Sequence, residues 1–151
     1  MRQVYDFQTG IMTEEPDVPV VLSLADAQAI QIAALYAACD AEMVGGFVSS
    51  ALGAAYTYPT KPTDQVNLIG AATDANNPAN LSTWTRAFPC ADSTGVWARR
   101  DHTAVQIRQV FADGVTAREA LSAQLAALVA QVEAATTVAA VQAIVWTSPL
   151  A

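Results

Sequence analysis

The spacing of apolar positions changes period several times along this chain, and each change marks a predicted element. Near the start, Val4, Tyr5, Phe7, Ile11 and Met12 surround the turn-prone Gln8-Thr9-Gly10, which predicts a strand or a hairpin arm. The segment TEEPDVPVV that follows carries Pro16 and Pro19 and three acids, and reads as a stiff linker. From Ser23 the period becomes helical. Ile32, Leu35, Tyr36, Cys39 and Met43 recur at steps of three and four, Asp26 sits in the first turn, and Gly45-Gly46 is a stop. This predicts a helix over 24–43 with Cys39 as a buried thiol.

The middle of the chain alternates at period two. Phe47, a turn at SSALG, then Tyr56 and Tyr58 predict strand and turn over 47–58, halted by Pro59 and Pro62. Thr63 or Asp64 is the expected cap of a helix over 63–75, with Val66, Ile69 and Ala72 on its apolar side. Trp84, Arg86 and Phe88 then alternate on one face, in a strand expected to end before Pro89. ADSTG reverses the chain and Val96–Arg100 returns, giving a hairpin over 83–101. Across it, Trp84 and Trp97 are expected to face each other as a register-pinning pair, or else to stack a sugar.

Thr103 and Gln106 form a capping box for a helix over 103–135. Its stripe is Ile107, Val110, Gly114, Ala117, Leu121, Leu125, Leu128 and Val132, close to a heptad with one slip. A stripe this narrow suits either a seam between chains or packing on the Ser23 helix. A short helix over 138–145 follows. The fold class expected is α+β: mainly helical, with a small antiparallel β-hairpin region (about 47–58 and 83–101) packed against long alanine-rich helices. Residues 1–20 form an arm and linker, and residues 21–151 a single domain.

Composition sharpens this picture. Alanine alone is about a fifth of the chain, so helices form readily but bury little area per residue. A partner is one source of the missing surface. The net charge of −7 disfavours nucleic acid and acidic membrane surfaces as partners. Charge is also uneven, with seven acids against Arg2 in residues 1–45, and Arg86, Arg99, Arg100 and Arg108 clustered later. Ordinary solvated faces account for this, as does complementary docking within the chain or between copies. No signal peptide or membrane span is evident, so synthesis in the cytoplasm with Cys39 and Cys90 reduced is expected.

Chemistry finds little support. His102 is the sole histidine; it and Asp101 are adjacent on a strand and point to opposite faces, so the carboxylate cannot orient the ring. His102 reads as a residue packing or hydrogen-bonding at the helix entrance. Cysteine, histidine and carboxylate spacings do not suit zinc, and the phosphate-loop, dinucleotide and nucleophile-elbow patterns are missing. Neither catalytic residues nor a cofactor nor a metal is expected. Gly45, Gly46, Gly53 and Gly70 read as helix stops and turns.

The blocks SSALG, YPTKPTDQVNL and VWARRDHT, with the late TTVAAVQAIVW, resemble a small domain of unknown function found in or beside tailed-phage tail-fibre and tail-assembly proteins. The resemblance spans about Cys39–Trp146. Leu52, Gly53, Tyr58, Asp64, Gln65, Asn67, Leu68, Trp97, His102 and Thr103 carry it, and Trp84 is a further structural marker. It implies a non-enzymatic virion protein, at the baseplate or at a tail-fibre attachment, acting through contacts with other tail proteins and with its own copies. Three-fold symmetry is what phage fibres suggest. The alternatives are a tail-fibre assembly chaperone and a host-receptor or carbohydrate-binding module. The expected partner surfaces are Val4, Tyr5, Phe7 and Ile11 on the arm, and Ile107, Val110, Leu121, Leu125, Leu128 and Val132 on the long helix.

Overall fold

The computed structural model describes residues 2–15, 21–80 and 82–150. The chain is α+β, as its periodicities predict. It opens with two strands, β1 (Arg2–Asp6) and β2 (Ile11–Glu15), paired antiparallel with Tyr5 opposite Met12 and Asp6 opposite Ile11. The expected linker therefore begins later than its composition suggests, because Thr13–Glu15 extend the hairpin; its Pro16–Val20 part lies outside the described residues.

Helix α1 (Leu24–Met43) starts where Ser23 accepts the Asp26 amide, at 3.1 Å. Leu35 and Cys39 are buried as expected, while Tyr36 is half exposed and small Ala27 takes a core position. Strands β3 (Phe47–Ser49) and β4 (Tyr56–Tyr58) form the first half of a second sheet. Helix α2 (Pro62–Ala75) then begins one residue early. Lys61 occupies the cap position without a side-chain bond, and Pro62 supplies the preset φ of a first helical residue. Neither Thr63 nor Asp64 caps it.

The apolar side of α2 is also not the expected one. Leu68, Ala71, Ala72 and Ala75 face the core, whereas Val66 and Ile69 are exposed. Alanines let the helix approach its neighbours closely, so α2 packs by its small face and leaves its β-branched residues outside. Gly70 is no stop; it lies inside α2, where a methyl group would meet nothing.

Strands β5 (Thr85–Ala91) and β6 (Trp97–Thr103) complete the antiparallel sheet in the order β3-β4-β5-β6. Strand β5 does not end before Pro89, which pairs with Arg99. Its contact with β4 is confined to Thr57 opposite Ala91, so β5 presents no paired edge at Pro89 that would need an amide hydrogen. The ADSTG turn is held by Asp92, whose Oδ1 accepts the Thr94 and Val96 amides, with Gly95 at φ 81°. Trp97 pairs with Ala91, and Trp84 precedes Thr85, which pairs with Thr103. The two indoles thus stand at opposite ends of the hairpin and are not a cross-strand pair. The expected pairing is corrected by the register, which sets Ala91 rather than Trp84 opposite Trp97.

Helix α3 (Ala104–Ala134) begins at the Thr103–Gln106 capping box, both halves of which are formed. Its 31 residues span about 46 Å at ~1.5 Å per residue, long enough to serve two cores. The first half packs Ile107, Val110 and Gly114 on the sheet and α2, beside Phe47, Tyr58, Phe88 and Cys90. The second half packs Leu128 and Val132 against Leu35 of α1 and Val141 of α4 (Val138–Ala143). Gln28 of α1 donates to the Val132 carbonyl at 3.1 Å and closes the far end of α3.

This corrects the expected interchain seam. Ile107, Val110 and Val132 are 0% exposed, Leu121 and Leu128 are buried, and Leu125 is half-buried against the second core. The stripe is narrow because α3 presents the same edge to successive neighbours of its own chain. Packing on the Ser23 helix accounts for its second half.

Candidate functional site

Three features concentrate the chemistry of the fold: a buried polar knot beneath the sheet, an exposed aromatic hairpin, and a separate apolar cleft.

The knot is built where β4, β5 and β6 meet. His102 alternates inward from exposed Asp101, as the strand period requires, and is 0% exposed. Its Nδ1 lies 2.7 Å from the Arg100 carbonyl, which can only accept, so Nδ1 carries the proton. The neutral ring then accepts at Nε2 from the Tyr58 hydroxyl, 2.8 Å away. Burial pushes the His102 pKa below its usual value. Burial, with the Cys90 thiol beside it, raises that of Tyr58. Tyr58 stacks on Phe47 with ring centres 5.6 Å apart and leans on Phe88.

Arg100 brackets this knot from outside. It donates to the Cys90 carbonyl at 2.7 Å, pairs with Asp92 at 3.3 Å, and lies 4.8 Å over the Tyr56 ring. Tyr58, Cys90 and His102 are all fully buried, and Cys39 lies in the core beyond, its thiol pKa raised by burial. Tyr58 and His102 thus satisfy each other, and both lie sealed from solvent with Cys90. His102 serves at the helix entrance, as its position before Thr103 suggests. Among the described residues no three histidines, cysteines or carboxylates gather as a metal ion would need.

The arginine cluster is likewise spent inside the chain. Arg99 donates to the Ala87 carbonyl and Arg108 to that of Ala75, at 2.7 and 2.8 Å, while Arg86 pairs with Asp74 at 3.6 Å. These are carbonyl and local contacts rather than docking on the acidic N-terminal part.

On the hairpin, Asp6 Oδ1 accepts the Gln8 amide at 2.8 Å and Gly10 takes φ 70°, closing the turn. Phe7 is 91% exposed, and its ring meets Tyr5 edge-on at 5.0 Å. Cross-strand pairs share a face, so Tyr5, Met12 and Glu14 lie on one side and Val4 and Ile11 on the other. The four residues expected as one partner surface are thus divided between two faces, with Tyr5 and Phe7 together. Tyr5, Ile11 and Met12 are each about half exposed.

Sequence reasoning missed the cleft between α2 and α3, about 130 Å³ in volume. Leu68, Ile69, Phe111, Gly114 and Val115 line it, and Arg118 borders it, 3.3 Å from Gln65. The signal was present in Phe111 and Val115, apolar residues one step off the α3 stripe. Gly114 forms its floor because a methyl group there would lie 2.9 Å from the Phe47 ring.

Residues 26–145, most of the chain, match the family described as Domain of unknown function (DUF4376). The chain belongs to this family. No curated protein and no solved structure matches it. The DUF4376 match takes in α1, the four-stranded sheet, α2, α3 and α4, and leaves the aromatic hairpin outside. Within the matched region the resemblance blocks acquire physical roles: Tyr58 and His102 form the knot, Gln65 donates to the Thr60 carbonyl at 2.7 Å, Gly53 takes φ 89°, and Thr103 caps α3. No helix among the described residues is long and apolar enough to cross a membrane.

Proposed function

We propose that this DUF4376 chain is a non-enzymatic component of a phage tail, an adaptor at the baseplate or fibre attachment that works through contacts with neighbouring subunits. The observation that carries the contact-based reading is the hairpin, which holds Phe7 almost wholly in water beside Tyr5. Exposed aromatic residues lose free energy to solvent that a partner would return, and aromatic anchors dominate protein interfaces. The sealed state of Cys90, Tyr58 and His102 supports a structural use of the reactive groups. The tail assignment itself rests on the resemblance of the SSALG, YPTKPTDQVNL and VWARRDHT blocks.

Mass spectrometry of purified particles tests this reading. A stoichiometric copy of the chain in mature tails is expected. Its absence from particles, with fibres lost when the gene is deleted, would replace the adaptor by the assembly chaperone. A carbohydrate-binding reading draws on Trp97, which is 54% exposed. The separation of Trp84 from Trp97 along the hairpin disfavours a shared stacking platform.

A further inference from the structure

The cleft has room for one ring, and the hairpin and the cleft border carry opposite charges, although they lie far apart in sequence. The cleft of about 130 Å³ is close to the ~150 Å³ of an apolar cavity that takes up one benzene ring. Its walls, Leu68, Ile69, Phe111 and Val115, offer apolar contact, and Ile69 and Val115 remain 52% and 40% exposed. The ring most in need of such cover is Phe7 at 91% exposure. Beyond the ring, Glu14 stands on the same hairpin face as Tyr5 and Met12. The cleft border carries Arg118, which contacts the neutral Gln65 and has no carboxylate partner among the described residues.

We propose that the Phe7 tip of one copy inserts into the α2–α3 cleft of a second copy, with Glu14 of the hairpin pairing with Arg118 of the receiving chain. The occupant is a second copy because one chain carries both the exposed ring and a cleft of its size, with a carboxylate further along the hairpin face and a guanidinium at the cleft border. The contact is heterologous: hairpin meets cleft, not hairpin meets hairpin. Each copy can therefore give one contact and receive one, which builds a closed ring or an open row. This rests on the contact-based reading above and names the face that receives the hairpin.

Analytical ultracentrifugation of the full chain across concentration tests this contact. The wild-type chain should self-associate, and Phe7→Ala should weaken association at least tenfold. Phe7 is exposed, so this change leaves the body folded, which circular dichroism checks. Glu14→Arg and Arg118→Glu should each weaken association several-fold, and the double variant carrying both should recover it. A mixture of Phe7→Ala chains with Val115→Trp chains, whose clefts are filled, should form a 1:1 pair although neither associates alone.

A wild-type chain that stays monomeric at all concentrations overturns the proposal. So does association that is indifferent to Phe7→Ala. The adaptor reading is judged separately by the particle composition. A chain found in tails whose self-association ignores Phe7 would leave that reading standing and remove this one.

Discussion

Single side chains decide how closely the elements of this fold approach, and glycine shows it in two opposite ways. Gly114 sits under the Phe47 ring, where an added methyl group would be 2.9 Å away. Gly70 faces open space on α2. Helix propensity favours alanine at both by ~1 kcal/mol. Gly70→Ala should therefore raise stability by roughly 0.5–1 kcal/mol. Gly114→Ala should lower it by roughly 1–3 kcal/mol, since overpacking outweighs propensity. Chemical denaturation of the two variants reads both signs.

His102 makes a second prediction, in pH. Its folded pKa lies below the usual 6.5, so the unfolded chain takes up a proton first as pH falls. The stability it supports is complete above about 6.5 and declines as pH drops through that value toward the folded pKa. Melting temperature should begin to fall as pH drops below about 6.5, ahead of general carboxylate protonation. With no other histidine in the chain, His102→Gln should start less stable and show a flat profile over that window. Tyr58→Phe removes the hydroxyl that donates to Nε2, and the buried nitrogen left behind should cost roughly 1–3 kcal/mol.

Among the elements, α3 shows how one helix can stabilise two cores. Its start depends on Thr103, whose side chain accepts the Gln106 amide while Gln106 returns a bond to the Thr103 amide. Thr103→Ala should cost about 1 kcal/mol, measured by thermal unfolding, with little loss of helix content. That the cap was legible in sequence and the α3 partners were not has a simple cause. Capping joins residues three apart, so local spacing reveals it. The stripe from Ile107 to Val132 says only that an apolar edge must be covered, and α1, α4 and the sheet cover it equally as well as a second chain would. Element α2 failed in a related way. Val66 and Ile69 are exposed, while Leu68 is buried together with the small Ala71, Ala72 and Ala75, which let that face approach its neighbours.

For the molecule as a whole, the aromatic hairpin lies outside the DUF4376 match and the body within it. Strands β1 and β2 pair only with each other, while the body closes its own cores. Removing residues 1–20 should leave the melting temperature of the body unchanged within about 2 °C, because none of the described residues of that segment belongs to either core. The same truncation should abolish association. Calorimetry and ultracentrifugation on one preparation separate the two effects.

Local periodicity, turn chemistry and caps located the helices and strands to within a few residues, because each depends on neighbouring positions, although neither expected cap of α2 forms and β5 runs past Pro89. The Asp92 turn, the Ser23 and Thr103 caps and the inward alternation of His102 all follow from such short-range geometry. Long-range packing alone determined which stripe meets which, that Trp84 and Trp97 stand apart, and that Tyr58 donates to His102. The α2–α3 cleft arose the same way, from the fit of distant surfaces. Those outcomes turn on volume and hydrogen-bond matching between residues far apart in the chain, information that no window of neighbouring positions contains.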